Sequence, residues 1–245
     1  MYKGFFILIL SLLTFFGCSF HQGKKYVILT FDDANVEEWL AQRNLFNTYN
    51  IKATFFITRS HQLTENQIEK LKILASDGHE IGCHGLNHLK VTEENQYQYF
   101  ETEIEPALKL LSDYGFKVFS FAYPFGPSTP YLDSVLTGYF SFIRKATYNY
   151  NETLISLYPE IYAKKGKYCI TNAMGIDGNF NISMDNLEDA ILKAKKMNSF
   201  LVLYAHIIDN SGDDYSITPQ YLEEFFKLLK KHKIGTVCCR EVVND

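Results

Sequence analysis

The sequence predicts a single α/β domain whose parallel strands close into a β/α barrel. Short apolar runs rich in β-branched and aromatic residues alternate with longer stretches of helical spacing, the pattern of a parallel sheet covered on both faces. The chain has 245 residues, a length that suits one large domain better than two small ones, and no repeat, low-complexity tract or linker divides it. Several of the apolar runs also end directly in residues able to do chemistry: Asp32 and Asp33, His84, Pro124 with Gly126, and His206. A barrel gathers such residues at the carboxyl ends of its strands, whereas an open doubly wound sheet collects them near one switch point.

The strand-like runs are 26–31, 53–57, 79–82, 118–122, 140–143, 200–204 and 234–238. Helical spacing covers 36–49, 64–76, 93–114, 184–197 and 218–231, and Thr64 with Gln67 reads as a capping box at one helix start. The domain is expected over residues 24–245. Before it, Lys3 and an apolar run at 4–16, broken only by Ser11 and Thr14, read as a targeting segment too short for a membrane span. The run ends in Phe15-Phe16-Gly17-Cys18-Ser19, which resembles a lipoprotein processing site. Residues 1–18 are therefore expected to be a signal segment with Cys18 as the lipidated residue. The protein is then exported and held at the cell envelope by a lipid anchor, its only contact with a membrane.

The formal net charge is −4 with no basic tract, which argues against a nucleic-acid partner. The 20 Phe and 17 Tyr are mostly expected in the core, though exposed rings would also suit a sugar-binding cleft. Cys83, Cys169, Cys238 and Cys239 match no zinc knuckle and are expected to be buried, unpaired thiols, although an exported protein could pair two of the four. Neighbouring side chains in a strand point apart, so Cys238 and Cys239 do not bond to each other. A monomer is expected.

Asp32-Asp33 closes the first strand. Two adjacent carboxylates repel, and a bound cation offsets this best, although Asp33 alone also reads as a turn or helix cap. His84-Gly85-Leu86-Asn87-His88 ends the third strand, and two histidines four apart fall on one face of a helical turn, close enough for one metal ion. One carboxylate and two imidazoles leave a coordination position open for water. His206 ends a later strand on the same rim; a lone histidine there is more often structural.

Together, Thr30-Phe31-Asp32-Asp33, His84-Gly85-Leu86-Asn87-His88, Tyr123-Pro124-Phe125-Gly126 and Leu203-Tyr204-Ala205-His206 resemble the ordered motifs of the polysaccharide deacetylases, carbohydrate esterase family 4. The resemblance spans Lys24 to the end of the chain. It implies an irregular seven-stranded (β/α) barrel and removal of acetyl groups from an N-acetylated glycan. It also implies a divalent metal ion, zinc first and cobalt, nickel or iron after it, on Asp33, His84 and His88. By the same resemblance Asp32 is the general base and His206 the general acid, with the Phe125 backbone N–H at the oxyanion and Tyr123 and Pro124 beside the substrate. The family's third motif usually opens with an arginine that orients the base, and here Ala122 holds that position. Arg144, at the end of the next strand, is the candidate replacement, with a surface cation as the plain alternative. The family's Asp and Trp pair that tunes the acid has no clean match, and Asp177 is the candidate, although it also reads as a turn residue. These departures leave open a catalytically impaired glycan-binding protein, and an O-acetyl esterase of the same fold.

Overall fold

The computed structural model describes residues 24–147 and 154–243. The signal segment and Cys18 lie outside the described residues. Eleven strands are present among them: β1 (Lys24–Asp33), β2 (Thr54–Ile57), β3 (Glu80–Cys83), β4 (Ser120–Ala122), β5 (Phe142–Thr147), β6 (Tyr162–Ala163), β7 (Cys169–Gly175), β8 (Phe200–Ala205), β9 (Ile207–Ile208), β10 (Ser216–Ile217) and β11 (Ile234–Val237). β1 to β5, β7 and β8 pair in parallel and in that order, and β8 returns to pair with β1, so seven strands close a barrel. β11 pairs with the opening half of β1, and β6 runs antiparallel on β8.

The expected barrel is present, but one of its seven strands is not among those read from the sequence. β7 carries no strand-like run in the sequence, because Thr171 and Asn172 interrupt its apolar residues. The run at 234–238 lies beside β1 outside the ring. Helices α1 (Val36–Ala41) and α2 (Arg43–Thr48) divide the stretch expected as one helix. α3 (Glu65–Ser76) carries the capping box, with Thr64 accepting from Gln67 N–H. The stretch at 93–114 becomes helical only through a π turn at Phe100–Ile104 and then α4 (Glu105–Asp113). α5 (Pro130–Leu136) was missed, although Thr129 caps it and Pro130 opens it. α6 (Met184–Met197) and α7 (Pro219–Lys231) fall where expected. Among the described residues no helix is long and apolar enough to cross a membrane. All four domain cysteines are buried, and none forms a disulfide with another among the described residues.

Period-two alternation divides the core into two layers. On β1, Val27, Leu29 and Phe31 face the helices, while Ile28 belongs to the cluster that fills the barrel lumen. Phe56, Phe142, Val202 and Tyr204 share that lumen. Extending each inward row to its carboxyl end gives 28-30-32 on β1, 142-144 on β5 and 202-204-206 along β8. The alternation that packs the barrel therefore aims Asp32, Arg144 and His206 into its upper mouth.

Candidate active site

Those rows end in a cavity of about 480 Å3 lined by Asp32, Asp33, His84, His88, Tyr123, Phe125, Gly126, Arg144, Ala146, Asn179, Phe180, Tyr204, His206 and Tyr215. Three of its residues sit in the left-handed backbone region that non-glycine residues seldom occupy: Asp33 at φ 86°, His88 at 59° and Phe125 at 60°. Such strain persists where surrounding structure over-determines it, and it concentrates at functional sites. At Asp33 it reverses the chain between β1 and α1, and Asp33 O accepts from Thr58 N–H at 3.1 Å.

Asp33, His84 and His88 offer ligand atoms that all lie within 4.8 Å of one another. His88 Nε2 is 3.3 Å and His84 Nε2 3.9 Å from Asp33 Oδ1. His84 Nδ1 lies 2.8 Å from Ala122 O. A carbonyl only accepts, so Nδ1 carries the proton and the Nε2 lone pair faces Asp33. Burial pushes His84 down to about 3, outweighing the opposing pull of Asp33, and burial lowers His88 as well. Both rings are therefore neutral at pH 7, the form that binds metals. Asp33 Oδ1 is buried with no hydrogen-bond partner, as is Asp32 Oδ1. An orphaned carboxylate oxygen facing two imidazole lone pairs fits a divalent cation in donor type and in placement.

Asp32 is 3% exposed, and its Oδ2 accepts a hydrogen bond from Arg144 Nη2. Arg144 is 1% exposed, and its guanidinium lies over the rings of Tyr204 at 4.8 Å and Phe56 at 5.5 Å. It is therefore not a surface cation. In the β4–β5 ladder, Ala122 is the register partner of Arg144. The guanidinium thus enters from the strand next to the position where the family usually carries its arginine.

Across the cavity, His206 Nδ1 lies 2.7 Å from Asp177 Oδ2, and His206 N–H donates to Asp177 Oδ1 at 3.0 Å. Both oxygens of the buried Asp177 are thereby taken by one residue, which fixes the ring and leaves Nε2 for the cavity. Burial pulls the His206 imidazolium down, but the Asp177 hydrogen bond and the Asp177, Asp32 and Asp33 charges outweigh it, and the net direction is up. Burial also raises Asp177, with the His206 contacts opposing it. Trp39 Nε1 donates to His206 O at 2.8 Å, so α1 braces the same strand end.

Phe125 is 53% exposed, with its ring 4.6 Å from that of His88. Tyr123 is buried and donates to Asp133 Oδ1 at 2.8 Å, while Pro124 is buried and absent from the cavity wall. Of the residues expected beside the substrate, Phe125 is the exposed one. Gly126 follows at φ 86°, and a Cβ there would lie 2.4 Å from Ala146 Cβ, so only glycine passes. Sequence reasoning missed Tyr215, 60% exposed with its ring 5.3 Å from His206, and also Asn179, Phe180 and Trp39. Tyr215 sits in a loop and Asn179 in a single 3-10 turn, Gly178–Phe180, both among Asp, Asn, Ser and Gly residues where no periodicity marks them.

Residues 21–139 match the family model described as polysaccharide deacetylase. Similar solved structures include a family 4 acetyl xylan esterase from Clostridium thermocellum with a cobalt ion, 17% identical with a TM-score of 0.57, the match covering 89% of this chain and 90% of that one. A mutant peptidoglycan deacetylase from Bacillus subtilis is 16% identical with a TM-score of 0.53 over 89% and 90%. A family 4 pseudoenzyme from Bacillus anthracis is 16% identical with a TM-score of 0.56 over 91% of this chain and 66% of that one. At such identities the likeness establishes the fold. No curated protein matches the chain.

Proposed function

For a chain whose residues 21–139 belong to the polysaccharide deacetylase family, we propose metal-dependent hydrolysis of acetamide groups on an N-acetylated glycan. The observation that carries the reading is the pair of held groups facing one cavity, Asp32 on Arg144 and His206 on Asp177, with Asp33, His84 and His88 beside them. Asp33, His84 and His88 would hold the divalent ion. When bound, such an ion would polarise a carbonyl and acidify water.

The chain's own residues supply the rest. Asp32 accepts the proton of the attacking water, and Arg144, which can only donate, keeps the carboxylate oriented as an acceptor. The Phe125 backbone N–H stabilises negative charge on the acyl oxygen. His206, with Nδ1 tied to Asp177, gives the Nε2 proton to the departing amine. An amine leaves poorly without that proton, and the raised pKa of His206 suits it to this task. Phe125 and Tyr215 offer exposed rings for stacking on sugar faces. Zinc is the first choice of ion, and the N-terminal segment would anchor the enzyme at the envelope through Cys18.

Acetate release from zinc-loaded protein, measured on chitin oligomers and on peptidoglycan fragments, tests the reading. Release that stops with chelator and in Asp32→Asn is expected. A folded, zinc-loaded wild type that binds these glycans without releasing acetate would make it a binding protein. The esterase-like fold relatives motivate an acetylated xylan control; release from that ester alone would move the assignment to O-acetyl groups.

A further inference from the structure

His88 meets Asp33 only while its backbone stays left-handed, and the turn that carries it has little regular structure of its own. Gly85, at φ 75°, is left-handed as well. Two outside contacts hold the segment between the two histidines. Leu86 O accepts from Arg59 N–H at 2.9 Å. Asn87 is grasped more fully, since its backbone N–H donates to Glu103 Oε2 and its Nδ2 to Glu103 Oε1, each at 2.8 Å.

Glu103 is 2% exposed. A carboxylate taken from water needs compensation, yet among the described residues no cationic side chain pairs with it, Arg144 and His206 being held by Asp32 and Asp177. What it has is Asn87. Its inward aim comes from the π turn at Phe100–Ile104, where Glu105 N–H reaches back five residues to Phe100 O. Pro106 follows and has no N–H to give the carbonyl four residues earlier. Glu101, Thr102 and Glu105 stay exposed while Glu103 and Ile104 turn inward. Single π turns of this kind recur at functional sites. A Cβ at residue 85 would lie 3.1 Å from Glu103 Oε2, so the glycine and the carboxylate are packed to fit one another.

We infer that Glu103 is a positioning residue of the metal centre: its carboxylate pins Asn87 and thereby holds His88 in the left-handed conformation that faces Asp33. The inference rests on the reading of Asp33, His84 and His88 as the cation site. It is tested by competitive zinc titration of metal-stripped full-length protein, with thermal unfolding as the control for folding. Glu103→Ala is expected to weaken zinc binding by roughly 10- to 100-fold, as loss of a supporting partner does, and Asn87→Ala by less, since its backbone N–H still donates to Glu103 Oε2. The double variant should be no weaker than Glu103→Ala alone, because Glu103→Ala already removes both hydrogen bonds to residue 87. Glu103→Gln should recover most of the affinity, since an amide can accept from Asn87 N–H and donate to a flipped Asn87 side chain. Wild-type affinity in a folded Glu103→Ala protein, or additive losses in the double variant, overturns the inference. Should Glu103→Ala not fold, Glu103→Asp, whose shorter side chain withdraws the carboxylate from both Asn87 donors, replaces it, and wild-type affinity in that variant overturns the inference equally. A wild type that binds no zinc instead sinks the cation-site reading itself.

Discussion

Arg144→Ala probes the site most directly, because it removes the buried partner of the proposed base and leaves the metal ligands alone. Arg144 and Asp32 are 1% and 3% exposed, so truncation strands a carboxylate that water reaches poorly. Removing one partner of a buried ion pair costs about 3–5 kcal/mol. In a domain of this size each kcal/mol lowers Tm by roughly 2–4 °C, which predicts a drop of about 6–20 °C. Activity should fall as well, by roughly 10- to 100-fold in kcat/KM, the usual effect of losing a supporting partner of a functional group. Zinc affinity should stay within about threefold, since the guanidinium touches none of the three ligands. Register offers the decisive control. Ala122 and Arg144 are paired across β4 and β5, so Ala122→Arg in the Arg144→Ala background returns a guanidinium to the neighbouring strand. Recovery of most of the lost activity is expected from acetate-release kinetics. A folded Arg144→Ala enzyme with wild-type kcat/KM would refute the assignment of Arg144 to Asp32, and the cross-strand argument would go with it.

Four other predictions follow from the same geometry. His84→Ala should abolish the single tight zinc site in a folded protein, and retained tight binding would remove His84 from the ligand set. Because burial holds His84 down at about 3 and lowers His88, zinc affinity should fall less between pH 7.5 and 6 than the roughly tenfold that two ordinary imidazoles would cost. Asp177→Asn removes the hydrogen bond and charge that raise His206. The protonated acid would then be lost at lower pH, so the alkaline limb of kcat/KM on an acetamide should move down, while an unmoved limb would clear Asp177 of this role. Gly126→Ala places a Cβ 2.4 Å from Ala146 Cβ at φ 86° and should cost about 2–4 kcal/mol in denaturant unfolding.

The residues proposed to hold the metal and to move protons were legible as candidates because they end strands, and a strand end is readable from a local apolar run. Asp32, His84 and His206 each follow such a run, and their inward aim follows from the alternation that packs the lumen. Partners reached across space were not legible in the same way. Arg144 reaches Asp32 only because β4 and β5 pair with Ala122 opposite Arg144, and a spacing of residues along the chain does not fix that register. Asp177 follows β7, a strand whose Thr171 and Asn172 hid it, so the acid's partner had no element to stand on. Glu103 depends on a π turn, which breaks the very periodicity from which a helix is read. Gly82 carries a subtler cost of the same kind: its missing side chain leaves room for the Phe56 ring inside the barrel, a fit visible only once both strands are paired.

The two held groups are asymmetric, and the asymmetry bears on the bond to be cleaved. Asp32 faces a guanidinium that only donates, so one side of the cavity offers an acceptor. His206 gives its Nδ1 hydrogen to Asp177, whose two oxygens are both occupied, so its cavity-facing Nε2 is the group free to gain or lose a proton. Ester cleavage requires mainly the first of these, because an alkoxide is a tolerable leaving group once the acyl oxygen is stabilised. Amide cleavage requires both, since the nitrogen must be protonated as it departs. A buried Asp177 is expensive to maintain, and burial raises it accordingly. Its placement beneath His206, with Trp39 fixing the backbone of the same residue, makes physical sense where the acid is needed in every turnover. That is the strongest ground for reading the cavity as an amidase site first and an esterase site second.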